Sequence, residues 1–282
     1  MAEKLVFRNI ESLSVREFLE SFHISNKMLY KLKNSKAVSV NSETIDFNYL
    51  LKSNDCLTIE INNFEKKLTN PYDRPLDIIF EDEDILLVRK PPGILVHPDG
   101  NDNHTLDNIV SYHYLKQGIR RTVRHCHRLD VDTGGLILYA KHFLASAHLN
   151  YQIEKNLLKK RYYALVLGKM ENTFGTINLC IGKNRHENNR YLVSKSGKSA
   201  CTKYRVLKSN ECHSLLEVEI FTGRRHQIRV HLKHIGHPIV GDSYYGKKGD
   251  RFFLEAFYLS FLHPRNKKQL EFQLPLPDDF KI

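Results

Sequence analysis

The 282-residue chain holds only five cysteines: Cys56, Cys126, Cys180, Cys201 and Cys212 are scattered, odd in number and without a C-x-x-C pair. That excludes a disulfide framework and a cysteine-rich zinc module, and points to a reducing compartment, expected to be the cytoplasm. No run of 18 apolar residues occurs and the first residues reach charge at once, so neither a membrane span nor a secretory leader is expected. Neither G-x-G-x-x-G nor G-x-x-x-x-G-K-[ST] appears, which leaves no phosphate-cradling loop for a nucleotide cofactor. Low-complexity tracts are missing as well, and 41% hydrophobic with 27% charged residues is a globular composition.

What is present is positive charge. Lys plus Arg number 43 against 32 Asp plus Glu, a net +11, which favours a polyanionic partner through phosphate neutralisation and counterion release. Residues 1–60 hold eight basic and eight acidic side chains, so the excess lies wholly in the later part of the chain. Between Lys183 and Lys208 there are eight basic residues and only Glu187 as an acid, interleaved with Tyr191 and Tyr204. A charge run is most often a solvated face. Beside an active-site domain it is instead a candidate for nucleic-acid backbone contact, with Lys183, Arg185, Arg190 and Lys198 as the named residues.

Apolar spacing divides the chain into 1–61, a polar and proline-containing linker at 62–75, and 76–282. The first part is expected to hold a strand near Val6-Phe7, helices at Val15–Phe22 and Lys27–Lys33, and strands at Ala37–Val40 and Cys56–Ile61. In the last part, strands are expected at Asp77–Phe80, Ile85–Arg89, Leu136–Tyr139, Tyr162–Leu167, Thr202–Leu207, Leu215–Phe221, Phe252–Leu262 and Gln269–Leu274. Helices are expected at Thr105–Lys116, Phe143–Lys155 and His226–Ile235. Without regular βαβ alternation this is an α+β domain on a mixed, mostly antiparallel sheet, and a Rossmann architecture is excluded.

The segment His127-Arg128-Leu129-Asp130-Val131-Asp132-Thr133-Gly134-Gly135, followed by the apolar run Leu136–Tyr139, places a carboxylate beside an arginine ahead of a tight turn. Locally it is either an ion-paired loop or a carboxylate displayed on a rigid strand edge. In "RYYALVLG" the alternation of a strand sends Tyr162 and Tyr163 to opposite faces. Of the fifteen histidines, His226, His231, His234 and His237 fall close together, but only His231 and His234 share a helical face and Gly236 ends the helix, so no metal site is expected.

The His127–Lys141 segment resembles the signature H-R-L-D-x-x-T-S-G-L-L-[LV]-x-A-K of the RluA/RluD-type pseudouridine synthases, with Gly134 where serine is usual. Further segments match that family in order: Lys90-Pro91-Pro92-Gly93-Ile94-Leu95-Val96-His97-Pro98, Lys160-Arg161-Tyr162-Tyr163-Ala164-Leu165-Val166, Gly197-Lys198-Ser199-Ala200-Cys201-Thr202-Lys203-Tyr204, and Thr222-Gly223-Arg224-Arg225-His226-Gln227-Ile228-Arg229-Val230-His231 with its tail Gly236-His237-Pro238-Ile239-Val240-Gly241-Asp242. The resemblance implies a cofactor-free isomerisation of uridine to pseudouridine in ribosomal or transfer RNA, in a domain with a central cleft. It further implies Asp130 as the catalytic carboxylate, Arg229 as its partner, Tyr162 against the target base, Ile228 in the apolar lining, and Arg128 at the gap left by a flipped nucleotide. Glycine at 134 keeps the turn and loses a hydroxyl. Residues 1–61, through "SVREFLESFHIS", "KLKNSKAVSVN" and "LKSNDCLTIEI", resemble the small α/β RNA-binding domain named after ribosomal protein four of the small subunit, with Asn41-Ser42 where Asn-Gly is usual.

Three alternatives bound these expectations. The first part would be a structural cap; the whole would be a non-catalytic RNA-binding or ribosome-assembly factor; or Asp130 and Asp132 would serve a carboxylate-dependent N-glycosidase. The expected partner is RNA, with no membrane and no nucleotide cofactor, and the expected state is a monomer.

Overall fold

The computed structural model describes every residue except 1–2, 9, 11, 66–68, 101–102 and 188. Residues 66–68 of the expected linker and residue 188 of the basic run therefore lie outside the described residues.

In the first part, β1 (Lys4–Phe7), α1 (Val15–Glu20), α2 (Asn26–Asn34), β2 (Val38–Val40), β3 (Glu43–Thr44) and β4 (Leu57–Glu60) form a four-stranded sheet ordered β1-β4-β2-β3 with two helices. Both helices begin where serine can satisfy free backbone amides. Ser14 accepts from the Glu17 amide while Glu17 accepts from the Ser14 amide, and Ser25 accepts from the Met28 amide. Their apolar faces meet in one core around Phe7, Phe18, Phe22, Leu32 and Ile59, which also takes in Phe143 and Leu144 from far along the chain.

The second part contains β5 (Asp77–Glu81), β6 (Ile85–Lys90), α3 (Leu106–Lys116), β7 (Arg124–His125), β8 (Gly134–Ala140), α4 (Phe143–Glu154), β9 (Lys159–Leu167), β10 (Phe174–Asn178), β11 (Ile181–Lys183), β12 (Tyr191–Val193), β13 (Cys201–Ser209), β14 (His213–Ile220), α5 (Gln227–His234), β15 (Leu254–Leu262) and β16 (Gln269–Gln273). Ten strands make one sheet whose main path is β10-β13-β14-β9-β15-β8-β6-β5, with β16 on β15 and β7 on β8; β11 and β12 pair with each other. Among the described residues, only the β8–β15 pair within it is parallel. The fold is thus α+β on a mixed, mostly antiparallel sheet.

Strands β6 and β8 are buried almost throughout, because alternate residues enter two different cores. Leu86, Val88, Ile137 and Tyr139 join Leu106, Val110 and Tyr114 of α3 and Ile228 and Leu232 of α5 on one face. Ile85, Leu87, Leu136 and Leu138 join Ala145 and Leu149 of α4, with Leu274 and Phe280, on the other. Tyr162 and Tyr163 separate in the same way: Tyr162 joins the first core, while Tyr163 stacks on Phe257 with centroids 3.7 Å apart.

Four short strands escaped the sequence reading: β3, β7, and the β11–β12 pair, together with the edge strand β10. In β10 only Ile177 is buried and Phe174 is exposed, so no alternation marks it. The β11–β12 hairpin is held from outside, by the Tyr191 amide on the Tyr245 hydroxyl and by Val230 of α5 beneath it.

The two parts meet along a polar seam. Arg265 donates to Asp84 at 2.7 Å and to the Val6 carbonyl at 2.7 Å, with its guanidinium 4.4 Å from the Phe7 ring centroid. Lys267 donates to the Ser21 carbonyl, Arg121 pairs with Glu3, and His23 stacks on Tyr151 at 3.5 Å. Asp82, Asp84 and His263 are, among the described residues, the one set of histidines and carboxylates with converging ligand atoms, and protein donors already serve it. His263 pairs with Asp82 at 2.8 Å; His142, whose Nδ1 accepts from the Ala145 amide, donates Nε2–H to Asp84 at 2.7 Å.

Burial would raise the Asp84 carboxyl, but the donors His142 and Arg265 outweigh it and bring it from 3.8 down to about 2. A depressed carboxylate stabilises the fold fully above its unfolded value and loses that contribution as pH falls through the folded one. Asp84→Asn is therefore expected to lose about 2 kcal/mol less stability than wild type between pH 4 and 2, as read by urea unfolding at stepped pH.

Candidate active site

The loop between β7 and β8 carries Asp130, and three anchors fix it. Lys90, fully buried at the end of β6, donates to the carbonyls of Pro91 (3.0 Å), Ile94 (2.8 Å) and Val131 (2.8 Å). Burial pulls the Lys90 ammonium down to about 8, against the nearby charges of Asp132 and Asp130. The Gly93 amide adds a second bond to the Val131 carbonyl, and His127 accepts from the Leu138 amide of β8. Burial holds His127 far below its ordinary value, at about 3, so it is neutral and serves the loop as a backbone acceptor.

The Thr-Gly-Gly turn has a steric reason that lies outside the turn. Gly135 sits at φ +115°, and a Cβ there would fall 2.2 Å from the Ala256 carbonyl of β15, the strand that runs parallel beside it. At Gly134 a Cβ would lie 2.4 Å from the carboxylate of Glu255, which is buried and paired with Arg89 at 3.0 Å. Glycine at this position therefore makes room for a buried acid, a consequence beyond the hydroxyl it lacks.

Arg229, in the first turn of α5, holds the site together. Its Nε and Nη2 donate to Asp242 at 2.9 and 2.7 Å, and its Nη1 donates to Asp130 Oδ2 at 3.2 Å. Rings of Tyr244, Tyr245 and Phe252 surround the guanidinium, with centroids 5.1, 5.3 and 4.8 Å away. Burial alone would lower its pKa, but the charges of Asp242 and Asp130 turn the shift upward. Asp242 is itself completely buried and also caps its own turn, accepting from the Tyr244 and Tyr245 amides.

Asp130, Arg229 and Tyr244 border a cleft of about 1090 Å³. Asp130, Tyr162, Arg128, Ile228 and Arg229 all line it, so the structure brings together five of the nine residues expected from sequence. Tyr162 is 5% exposed, and burial, followed by the Asp130 charge, pushes its phenol well above the ordinary value; it stays un-ionised. Arg128 is exposed at the rim, with Nη1 3.4 Å from His97 Nε2, and His97 in turn stacks on His125, which is paired with Asp107.

Lys183, Arg185, Arg190 and Lys198 do not line this cleft. Lys183 lies in β11 and Lys198 bridges to Ile181 in the same strand, while Lys183, Arg185 and Lys198 are exposed. Arg190, paired with Glu187, borders a second cavity of about 430 Å³ that shares Tyr244 with the main cleft.

Sequence reasoning passed over Asp242, Tyr244, Tyr245, Lys90 and His226 as site residues. Asp242 closes the segment Gly236–Asp242, and nothing in its spacing reveals that it meets Arg229. The histidine group splits up: His231 donates to the Leu179 carbonyl and accepts from Thr202, His237 donates to Leu167, and His226 turns toward the cleft.

Binding a phosphate chain needs cations at a rim, and this cleft has them; it also carries on its wall a carboxylate that a buried guanidinium holds at 3.2 Å. A cationic rim beside a guanidinium-held carboxylate is the arrangement expected of an enzyme acting on nucleic acid. Residues 84–234 match the family model described as RNA pseudouridylate synthase, and residues 6–57 match that of the RluD ribosomal pseudouridine synthase N-terminal domain. The chain is 42% identical over 250 residues to the RNA pseudouridine synthase YhcT of Bacillus subtilis, covering 86% of this chain and 83% of the relative. It is 34% identical over 280 residues to ribosomal large subunit pseudouridine synthase D of Zymomonas mobilis, covering 92% and 88%. Among solved structures, human RNA pseudouridylate synthase domain containing 1 superposes with a TM-score of 0.62 at 27% identity, over 74% of this chain and 86% of that one. The chain belongs to the RNA pseudouridine synthase family, whose members isomerise uridine in RNA.

Removing one partner of a buried ion pair leaves the other charge uncompensated, at a cost of about 3 to 5 kcal/mol. Asp242→Asn is expected to destabilise the protein by that order in urea unfolding at pH 7, because Arg229 keeps only one full counter-charge and that one is open to the cleft.

Proposed function

We propose that the protein converts uridine to pseudouridine in structured large-subunit ribosomal or transfer RNA, with Asp130 as the catalytic carboxylate. The observation that carries this reading is the sharing of one buried guanidinium between Asp242, which is fully covered, and Asp130, which it holds on the wall of the cleft.

The reaction breaks the bond between uracil N1 and ribose C1′, turns the base, and joins C5 to the same carbon. N1 gains a proton and C5 loses one, so the formula of the RNA is unchanged and no redox equivalent is needed. Asp130 serves either route to base detachment: it removes a proton from the sugar to give a glycal-like intermediate, or it attacks covalently. Tyr162 and Ile228 line the same cleft and supply a wall against which an extruded base can stack and turn without escaping. Arg128 occupies the rim, where it can prop the gap left in the RNA at a point that is costly to leave empty.

Lys183, Arg185, Arg190 and Lys198 surround the β11–β12 hairpin and are assigned to the RNA backbone. Residues 1–61 are assigned to a separate small RNA-binding domain, 62–75 to a linker and 76–282 to the catalytic domain, working as a monomer in the cytoplasm. Among the described residues no helix is long and apolar enough to cross a membrane.

Pseudouridine-specific sequencing of RNA from cells lacking the gene, complemented with wild type or Asp130→Asn, tests the central assignment. Wild type restores the missing signals; Asp130→Asn is expected to lose more than about 100-fold in rate and to restore none. Equal restoration by both versions removes Asp130 from the mechanism, and release of free uracil by the wild type would identify a glycosidase instead. A second expectation concerns salt. Replacing Lys183, Arg185 and Lys198 by alanine together should weaken RNA binding at low salt and reduce the slope of log Kd against log salt by roughly two to three, with kcat retained.

A further inference from the structure

His226 has no task in the reading above, yet it is buried, borders the cleft and stands at φ +56°, in the left-handed region that strains a bulky residue. Such a conformation persists only where the surroundings hold it. The charged groups around its ring are Asp130, Arg229, Arg225 and Asp242, and the rings facing it are Tyr191, Tyr244 and Tyr245.

Tyr245 determines where the imidazole carries its proton. The phenol oxygen accepts from the Tyr191 amide at 2.9 Å and lies 2.8 Å from His226 Nδ1. Burial pushes the Tyr245 hydroxyl up to about 12, so its proton is present at neutral pH, and with the oxygen already accepting, that proton is available for Nδ1. Burial lowers His226 below 6.5 despite the Asp130 charge, leaving a neutral ring. Its single proton then sits on Nε2, which lies 3.9 Å from Asp130 Oδ2. That is the oxygen Arg229 already holds at 3.2 Å, and neither contact is to Oδ1.

We propose that His226 is a positioning residue whose Nε2–H, fixed by Tyr245, closes onto Asp130 Oδ2 alongside Arg229 when uridine enters, leaving Oδ1 as the atom that reacts. The proposal rests on the assignment of Asp130 as the catalytic carboxylate. It makes Tyr245, three residues after Asp242, a control on reactivity, acting through the imidazole without touching substrate.

The test uses the full-length protein and unmodified transcripts of the host's ribosomal and transfer RNAs, with single-turnover pseudouridine formation followed from pH 5 to 9. Tyr245→Phe removes one oxygen and frees the tautomer; it is expected to lose about tenfold in rate at pH 7, with RNA Kd unchanged, as follows from losing a hydrogen bond to a charged group. Its acid limb should move to higher pH, because a carboxylate with one donor fewer protonates more readily. His226→Gln, whose amide nitrogen can reach the place of Nε2, should stay within about threefold of wild type, whereas His226→Asn suits the left-handed backbone but falls short and should lose about tenfold. A Tyr245→Phe protein with the wild-type rate and pH profile overturns the proposal, as does equal loss in the Gln and Asn variants. If the His226 variants fail to fold, the Tyr245→Phe profile decides by itself. An active Asp130→Asn protein would instead remove the underlying assignment, while inactive Asp130→Asn beside an unaltered Tyr245→Phe removes only the role of His226.

Discussion

A buried guanidinium with two carboxylates is the constraint on which this site depends. Arg229 could not be taken out of water alone, since desolvating a charge costs several kcal/mol after relaxation. Asp242 offsets that cost with a two-pronged contact at 2.9 and 2.7 Å, inside a box of three aromatic rings. The third nitrogen remains for Asp130, whose side chain is a quarter exposed where Asp242 is fully covered. One acid is structural and the other is turned to the cleft because of this difference in exposure, not because of any difference in chemistry.

The sheet sets the distance between these partners. Asp130 precedes β8, Arg229 lies on α5 and Asp242 follows it, so the site closes only if β8, β15 and α5 are in register. The close approach of β8 to β15 at Gly135 and Ala256 provides that register, and two cores, one on each face, keep the central strands from shifting. On the far side of the sheet the first part of the chain is tied down through Arg265, Lys267 and the first turn of α4. That attachment runs along α4 and the turn between β5 and β6.

Much of this was legible in the residues. Short β-rich apolar runs marked β6, β8, β9, β14 and β15, because each is long enough to stand out and its faces enter apolar cores. They left unmarked β10 and the β11–β12 hairpin, where burial is slight and partners elsewhere in the chain provide the stability. Asp130, Arg229, Tyr162, Arg128 and Ile228 were placed together only through resemblance; from spacing alone, the carboxylate remained either an ion-paired loop or a displayed acid, and both descriptions turned out to hold a part of the arrangement, since Asp130 is paired and also lines a cleft.

By itself the sequence determined which residue types the chain could offer: a carboxylate next to glycines that permit a tight strand start, a helix bearing an arginine, a basic stretch, and no phosphate loop or cysteine site. Those are local properties, carried by side-chain chemistry and by the backbone freedom of a few positions. Only the tertiary structure decided that Asp242 would neutralise Arg229, that Gly134 would yield its space to Glu255, and that His226 would face Asp130 with Tyr245 behind it. Contacts between residues 13 to 121 positions apart depend on how sheet and helices close on each other, and no periodicity along the chain encodes that closure.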